Sequence, residues 1–181
     1  MAGNQPHKTT GTLSDPRTIV RRQDREIVER ENIAVLLECA LFGFIATSVD
    51  DQPFLNPNLF WFDRSKQQIF FHTALEGRTR RNIEHNPRVC FGIGEIGRLL
   101  PADSALEFSS EYKSVIVFGN CQLVESEPEQ RYALQGLLDK YFPDLKPDVD
   151  YQGITVEELE RTSVFVIAID SWSGKEKSAA P

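Results

Sequence analysis

The sequence is poor in the residues from which metal sites and disulfide frameworks are made. Its 181 residues include three cysteines and three histidines. Cys39, Cys90 and Cys121 are odd in number, widely spaced and free of any C-x-x-C pair, which argues against a disulfide scaffold or a zinc knuckle. Each lies in an apolar run, so buried reduced thiols and a reducing cytoplasm are the expectation. His7, His72 and His85 are too dispersed for a metal site, and no Ser-His-Asp set or carboxylate pair stands out. No apolar run approaches the length of a membrane span. The opening stretch, Met1 to Thr10, lacks the apolar core of a secretory signal. Basic charge is also short, with 20 Lys and Arg against 27 Asp and Glu, a net −7. Such a surface repels phosphate backbones, which disfavours nucleic acid as a partner, although a local basic cluster still suits one small anion.

Apolar residues make up 40% of the chain, and twelve residues are Phe. This is a globular composition of one-domain length. Residues 1–20 are polar and carry Pro6, Gly11 and Pro16, so they read as a mobile arm before a single domain over 21–177. Within 24–40, Ile33, Leu36, Leu37 and Ala40 follow helical offsets, with Asn32 as a candidate cap. A strand is expected over 42–49, turned at Asp50-Asp51. A second covers 54–62, where Pro57 points to an edge, a bulge or a switch between sheets. A third covers 67–73, and the three together read as an antiparallel meander. A helix follows over 78–85, stopped by Asn86-Pro87, then a strand over 89–96.

The longest strand is expected over 112–124. It is apolar on both faces at its middle, as suits a barrel wall that is also a subunit interface. Ser126-Glu-Pro-Glu129 and Thr155-Val-Glu-Glu158 are capping boxes. A last strand runs over 164–169, and the polar tail from Ser173 is expected to fray. Several strands, peripheral helices and no βαβ rhythm predict a mainly β (α+β) fold, a small antiparallel barrel.

The most suggestive cluster is Phe71-His-Thr-Ala-Leu-Glu-Gly77-Arg78-Thr79-Arg80-Arg81. A strand runs through a glycine loop into a helix start, where free N–H groups and the dipole favour an anion. Three arginines in that first turn are unfavourable unless an anion sits there. The alternative is an exposed basic turn pairing with Glu76 and Glu84. Gly92-Ile-Gly94-Glu-Ile-Gly97 matches G-x-G-x-x-G, but Pro101 forbids the following helix and no βαβ unit surrounds it, so it is no dinucleotide fingerprint.

From Phe71 to Phe91, the order of strand, Gly-Arg, short basic helix, Asn-Pro and apolar strand resembles the FMN-binding split-barrel superfamily. Tyr112 to Gly119 and the helix carrying Leu134 agree with it. The whole resembles the branch related to pyridoxamine 5'-phosphate oxidases that includes nitroimidazole-resistance proteins. The resemblance covers residues 20–177. It implies an antiparallel split β-barrel with peripheral helices and FMN lying across a homodimer. It also implies a phosphate held by Arg78 and Arg81, with Thr79 where relatives often carry Lys. Asn58, Leu59 and Phe60 match the strand whose backbone borders the isoalloxazine ring, and His72 and Thr73 the strand end near ring and ribityl chain. Ser114 matches a polar flavin contact from another strand, and Trp172 a C-terminal Trp often donated by the other subunit. One departure stands out. True pyridoxamine 5'-phosphate oxidases follow that Trp with a substrate-holding Arg and His, whereas here Ser173-Gly-Lys-Glu-Lys-Ser178 follows.

The expected function is therefore an FMN-dependent oxidoreductase acting on a small molecule, with NAD(P)H as a candidate donor. Two alternatives stay open: a non-catalytic flavin carrier or redox sensor, and a split barrel holding haem or a deazaflavin, with His72 or His85 as haem ligands.

Overall fold

The structure, a computed structural model, describes residues 15–179. The expected arm lies outside the described residues as far as residue 14. From Asp15 the chain is docked: the Ser171 hydroxyl donates to Asp15 Oδ2 at 2.6 Å and Val20 is buried. A first helix, α1 (Arg30–Cys39), buries Ile33, Ala34 and Leu37. Its N-cap is Glu29, and Asn32 lies inside the first turn rather than capping it.

The strands are β1 (Gly43–Val49), β2 (Gln52–Asn58), β3 (Trp61–Asp63) and β4 (Gln68–Ala74). After helix α2 (Arg78–His85) come β5 (Arg88–Leu100), β6 (Ser109–Leu123), helices α3 (Glu127–Tyr141) and α4 (Val156–Leu159), and β7 (Thr162–Lys177). No helix among the described residues is long and apolar enough to cross a membrane.

The Asp50-Asp51 turn forms as expected. Both residues have positive φ, 51° and 58°, the geometry that a two-residue hairpin between β1 and β2 demands. The expected meander does not form. The run 54–62 breaks at Leu59-Phe60: β2 pairs with β1, and β3 pairs with β4. All seven strands make one antiparallel sheet in the order β2-β1-β5-β6-β7-β4-β3. Six interstrand steps of about 4.8 Å would hold the edges of a flat sheet about 29 Å apart. Yet Asn58 and Trp61 are three peptide units apart, which spans at most about 11 Å. The sheet must therefore roll until its edges meet. The result is a mainly β antiparallel barrel closed by a covalent seam instead of a hydrogen-bonded ladder, which is a split barrel. Pro57 sits where it is tolerated, on the edge strand β2.

The barrel interior holds Ile45, Phe60, Phe71, Phe91, Val115, Val117 and Phe165, all fully buried. A second layer, Phe70, Val124, Ala133 and Val164, lies between the sheet and α3. Gly136 permits this contact, since a Cβ there would stand 2.3 Å from the Trp61 ring.

Two other expectations change. The Ser126 side chain makes no capping bond, although Ser126 is the N-cap of α3, whereas the Thr155 box forms in full. The tail from Ser173 does not fray as far as Lys177. It continues β7, with Ser173 opposite Ile116 and Lys177 opposite Tyr112. A long neighbouring strand supplies backbone hydrogen bonds there whatever the side chains are. Among the cysteines, Cys121 is buried, Cys90 half-buried and Cys39 exposed, so burial does not hold for Cys39.

Candidate functional site

Helix α2 opens at Gly77, whose φ of 156° suits glycine and whose lack of a side chain leaves the helix start without a side-chain cap. The three arginines that follow separate in role. Arg80 is structural: its Nε binds Glu84 Oε1 at 2.8 Å, and its Nη1 donates to Leu75 O and to the Ser163 hydroxyl. Arg78 and Arg81 are exposed and have no carboxylate partner among the described residues. The Arg78 guanidinium lies 4.7 Å from the centre of the Phe54 ring on β2. Thr79 is buried, on a helix side whose Asn82 donates to the Thr47 hydroxyl at 2.8 Å.

Asn58 shares a face of β2 with Phe54, because strand side chains alternate. Its Nδ2 is buried and has no hydrogen-bond partner among the described residues. Such an atom costs about 1–3 kcal/mol when left unmet, so this wall is short of an acceptor. Thr73, at the end of β4, donates its hydroxyl to Ala74 O at 2.8 Å.

His72 points the other way. It shares the outer face of β4 with Phe70, beneath α3, and joins exposed Leu59 on an apolar cleft of about 330 Å³. Although solvent reaches the imidazole, the apolar surroundings hold its pKa below the ordinary value. Phe60 is wholly buried against Phe91. Its backbone N–H already donates to Tyr141 Oη at 3.1 Å, and that hydroxyl lies 2.7 Å from Leu41 O. Beside it, Lys140 Nζ stands 3.7 Å from the centre of the Phe60 ring, and burial pulls its pKa down to about 8. Tyr141 therefore clamps the barrel seam, with Lys140 packed beside it. Sequence reasoning missed this because the partners of Tyr141 lie 81 and 100 residues away in the chain.

Ser114 and Trp172 stand apart from both groups. Ser114 faces outward on β6, in a niche of about 170 Å³ with Arg17 and Lys175. Trp172 is half-buried against its own core, 6.0 Å from Phe62 ring to ring. The ten residues thus do not form one cluster in one chain: Asn58 on β2 and Arg78, Thr79 and Arg81 on α2 belong to elements that meet where Arg78 stacks on Phe54, Thr73 ends β4 opposite Ser163, Leu59 and His72 meet at the cleft with Phe60 behind, and Ser114 and Trp172 lie on β6 and β7.

Known proteins share this architecture at low identity. Flavocytochrome Anf3 from Azotobacter vinelandii is 23% identical over 92% of this chain and 76% of its own, with a TM-score of 0.78. The FAD and heme binding protein from Mycobacterium smegmatis is 23% identical over 87% of this chain and 75% of its own, with a TM-score of 0.77. A candidate 5-nitroimidazole antibiotic resistance protein from Bacteroides thetaiotaomicron is 19% identical over 83% of this chain and 86% of its own, with a TM-score of 0.69. No curated protein matches the chain. A family model described as pyridoxamine 5'-phosphate oxidase matches residues 29–176, from the start of α1 to the end of β7. With most of its length matched, and with a barrel split at Leu59-Phe60, the chain belongs to the pyridoxamine 5'-phosphate oxidase family.

Proposed function

We propose that this protein is an FMN-binding oxidoreductase that works as a homodimer on a small-molecule substrate, with NADH or NADPH as donor. The observation that carries the reading is the pairing of unmet groups on one wall. Among the described residues, Asn58 Nδ2 is a buried donor without an acceptor, and Arg78 and Arg81 are cations without a carboxylate at a helix start. A phosphorylated ring with amide-type acceptors satisfies both. Arg78 and Arg81 would hold the phosphate by paired hydrogen bonds. Asn58 would donate to the ring edge, and Thr73 would border the ribityl chain. When bound, flavin supplies the electron and hydride chemistry, and the protein supplies binding and orientation. That division of labour needs no acid–base constellation. The lack of Arg and His after Trp172 argues against pyridoxamine 5'-phosphate itself as substrate.

The dimer is supported by an apolar outer face. Phe44, Leu55 and Ile116 lie on one face of β1, β2 and β6 and are 38%, 58% and 39% exposed. A two-fold axis through that face would bring Ser114 to a second copy. Ile116→Asp should give a monomer by sedimentation with weakened FMN retention. A cytoplasmic location is supported by three free cysteines.

The deciding experiment is a visible spectrum of purified protein before and after excess FMN and desalting. Retained bands near about 370 and 450 nm support flavin. Chromatography of the extracted cofactor separates FMN from the FAD named for the Mycobacterium smegmatis neighbour. A Soret band would instead favour haem, with His72 or His85 as ligand, and a deazaflavin spectrum would also retire FMN. Arg78→Ala with undiminished FMN affinity would refute the phosphate clamp. Steady NAD(P)H turnover separates an enzyme from a flavin carrier or redox sensor.

A further inference from the structure

The cleft beneath α3 is a second site with its own chemistry. Its walls are Leu134, Leu137, Leu138, Phe142 and Ile154, and its volume of about 330 Å³ lies at the small end of ligand pockets. The polar groups on its rim are almost all engaged. The Tyr141 hydroxyl is held by Leu41 and Phe60. The Glu158 carboxylate accepts from Thr155 N at 2.8 Å, and Thr162 Oγ1 donates to Glu158 O at 2.7 Å. His72 alone has no hydrogen-bond partner among the described residues, and no Lys or Arg lines the cleft. An anion would therefore meet apolar walls and the Glu158 carboxylate with no cation to receive it.

We propose that this cleft binds an uncharged aromatic molecule of one or two rings carrying a hydrogen-bond acceptor, which His72 meets with a ring N–H. The site excludes carboxylates and phosphates. This selectivity is independent of the flavin reading, and the cleft is not offered as the pocket of a flavin substrate. His72 and Thr73 are consecutive strand residues and face opposite sides of β4, so cleft ligand and cofactor occupy different sides of the wall.

The test uses two probes of equal size, 2-acetylnaphthalene, which is neutral, and 2-naphthoate, which is anionic. Binding is followed by calorimetry, and by NMR of the His72 imidazole, on full-length protein without cofactor and on protein saturated with FMN. The expected result is that the ketone binds at least about tenfold more tightly than the carboxylate, perturbs His72, and binds whether or not FMN is present. Leu138→Trp fills the cleft and should abolish binding. Ile154→Phe does the same from the opposite wall should the first variant not fold. His72→Ala should weaken ketone binding about fivefold or more, as expected for one lost hydrogen bond. Equal binding of the two probes would overturn the proposal. So would binding that survives a folded cleft-filling variant, or displacement of the ketone by FMN. Failure of FMN retention with intact ketone selectivity would remove the flavin reading alone.

Discussion

Replacing Tyr141 by Phe deletes one oxygen atom from the clamp on the barrel seam. That oxygen accepts from Phe60 N at 3.1 Å, and its proton is shared between Leu41 O at 2.7 Å and Phe60 O at 3.1 Å. The losses are unequal. Leu41 is exposed, so water takes over its carbonyl. Phe60 is wholly buried, and its N–H loses its partner in the interior. An orphaned buried donor costs about 1–3 kcal/mol. The ring itself keeps its packing, and neither residue changes the preference of the helix end appreciably. A domain of this length shifts by about 2–4 °C per kcal/mol, so the melting temperature should fall by roughly 2–12 °C. Thermal melts of cofactor-free protein measure this directly. The same variant should also lose FMN retention beyond its loss of stability, because Asn58 stands two residues from the clamped peptide. A melting temperature unchanged within about 1 °C would refute the clamp, since the buried N–H would then have found another partner.

Lys140→Met should raise stability at pH 7, because the wild-type lysine must carry its charge in a half-buried place. Since burial lowers its folded pKa to about 8 from 10.5, wild-type stability should rise with pH between those values, and the advantage of Met should fade over the same window in denaturant titrations. Gly136→Ala should destabilise by about 1–3 kcal/mol despite better helix propensity, because its Cβ would overlap the Trp61 ring; urea melts decide the sign. Thr155→Ala removes a formed capping box and should cost about 0.5–2 kcal/mol, whereas Ser126→Ala, which removes no side-chain bond, should be nearly silent.

The parts of the fold that were legible in the sequence are those set by local chemistry. Asp50-Asp51 forms the hairpin turn, helix α2 begins at Arg78 and ends at His85 before Asn86-Pro87, and Thr155 caps α4. The parts that were not legible depend on distant partners. Leu59-Phe60 looks like mid-strand in the sequence, because nothing local says that β2 and β3 pair at opposite edges of one sheet. Ser173 to Lys177 looks like a tail because its side chains are polar, yet its backbone completes the ladder with β6. The candidate site divides in the same way. Gly77 and Arg78 mark a helix start that any reader of the sequence can find. That Arg80 is spent on Glu84, Leu75 and Ser163, while Arg78 and Arg81 have no carboxylate partner among the described residues, depends on where β4 and β7 lie.

The pleat then explains why neighbouring residues need not share a role. Along β4, Phe71 and Thr73 face the barrel side, while Phe70 and His72 face α3. At the seam, Leu59 is exposed on the cleft and Phe60 is fully buried, its backbone N–H bonded to Tyr141. The resemblance places the backbone of Asn58 to Phe60 along the ring and the strand end at His72 and Thr73 beside it, and says nothing of which way each side chain faces. The structure turns His72 and Thr73 to opposite faces of β4 and leaves Leu59 exposed beside the buried Phe60. A substitution at Thr73 should therefore register in cofactor retention, and one at His72 in the selectivity of the cleft. A double-mutant cycle on the two adjacent positions measures how far the strand they share couples them.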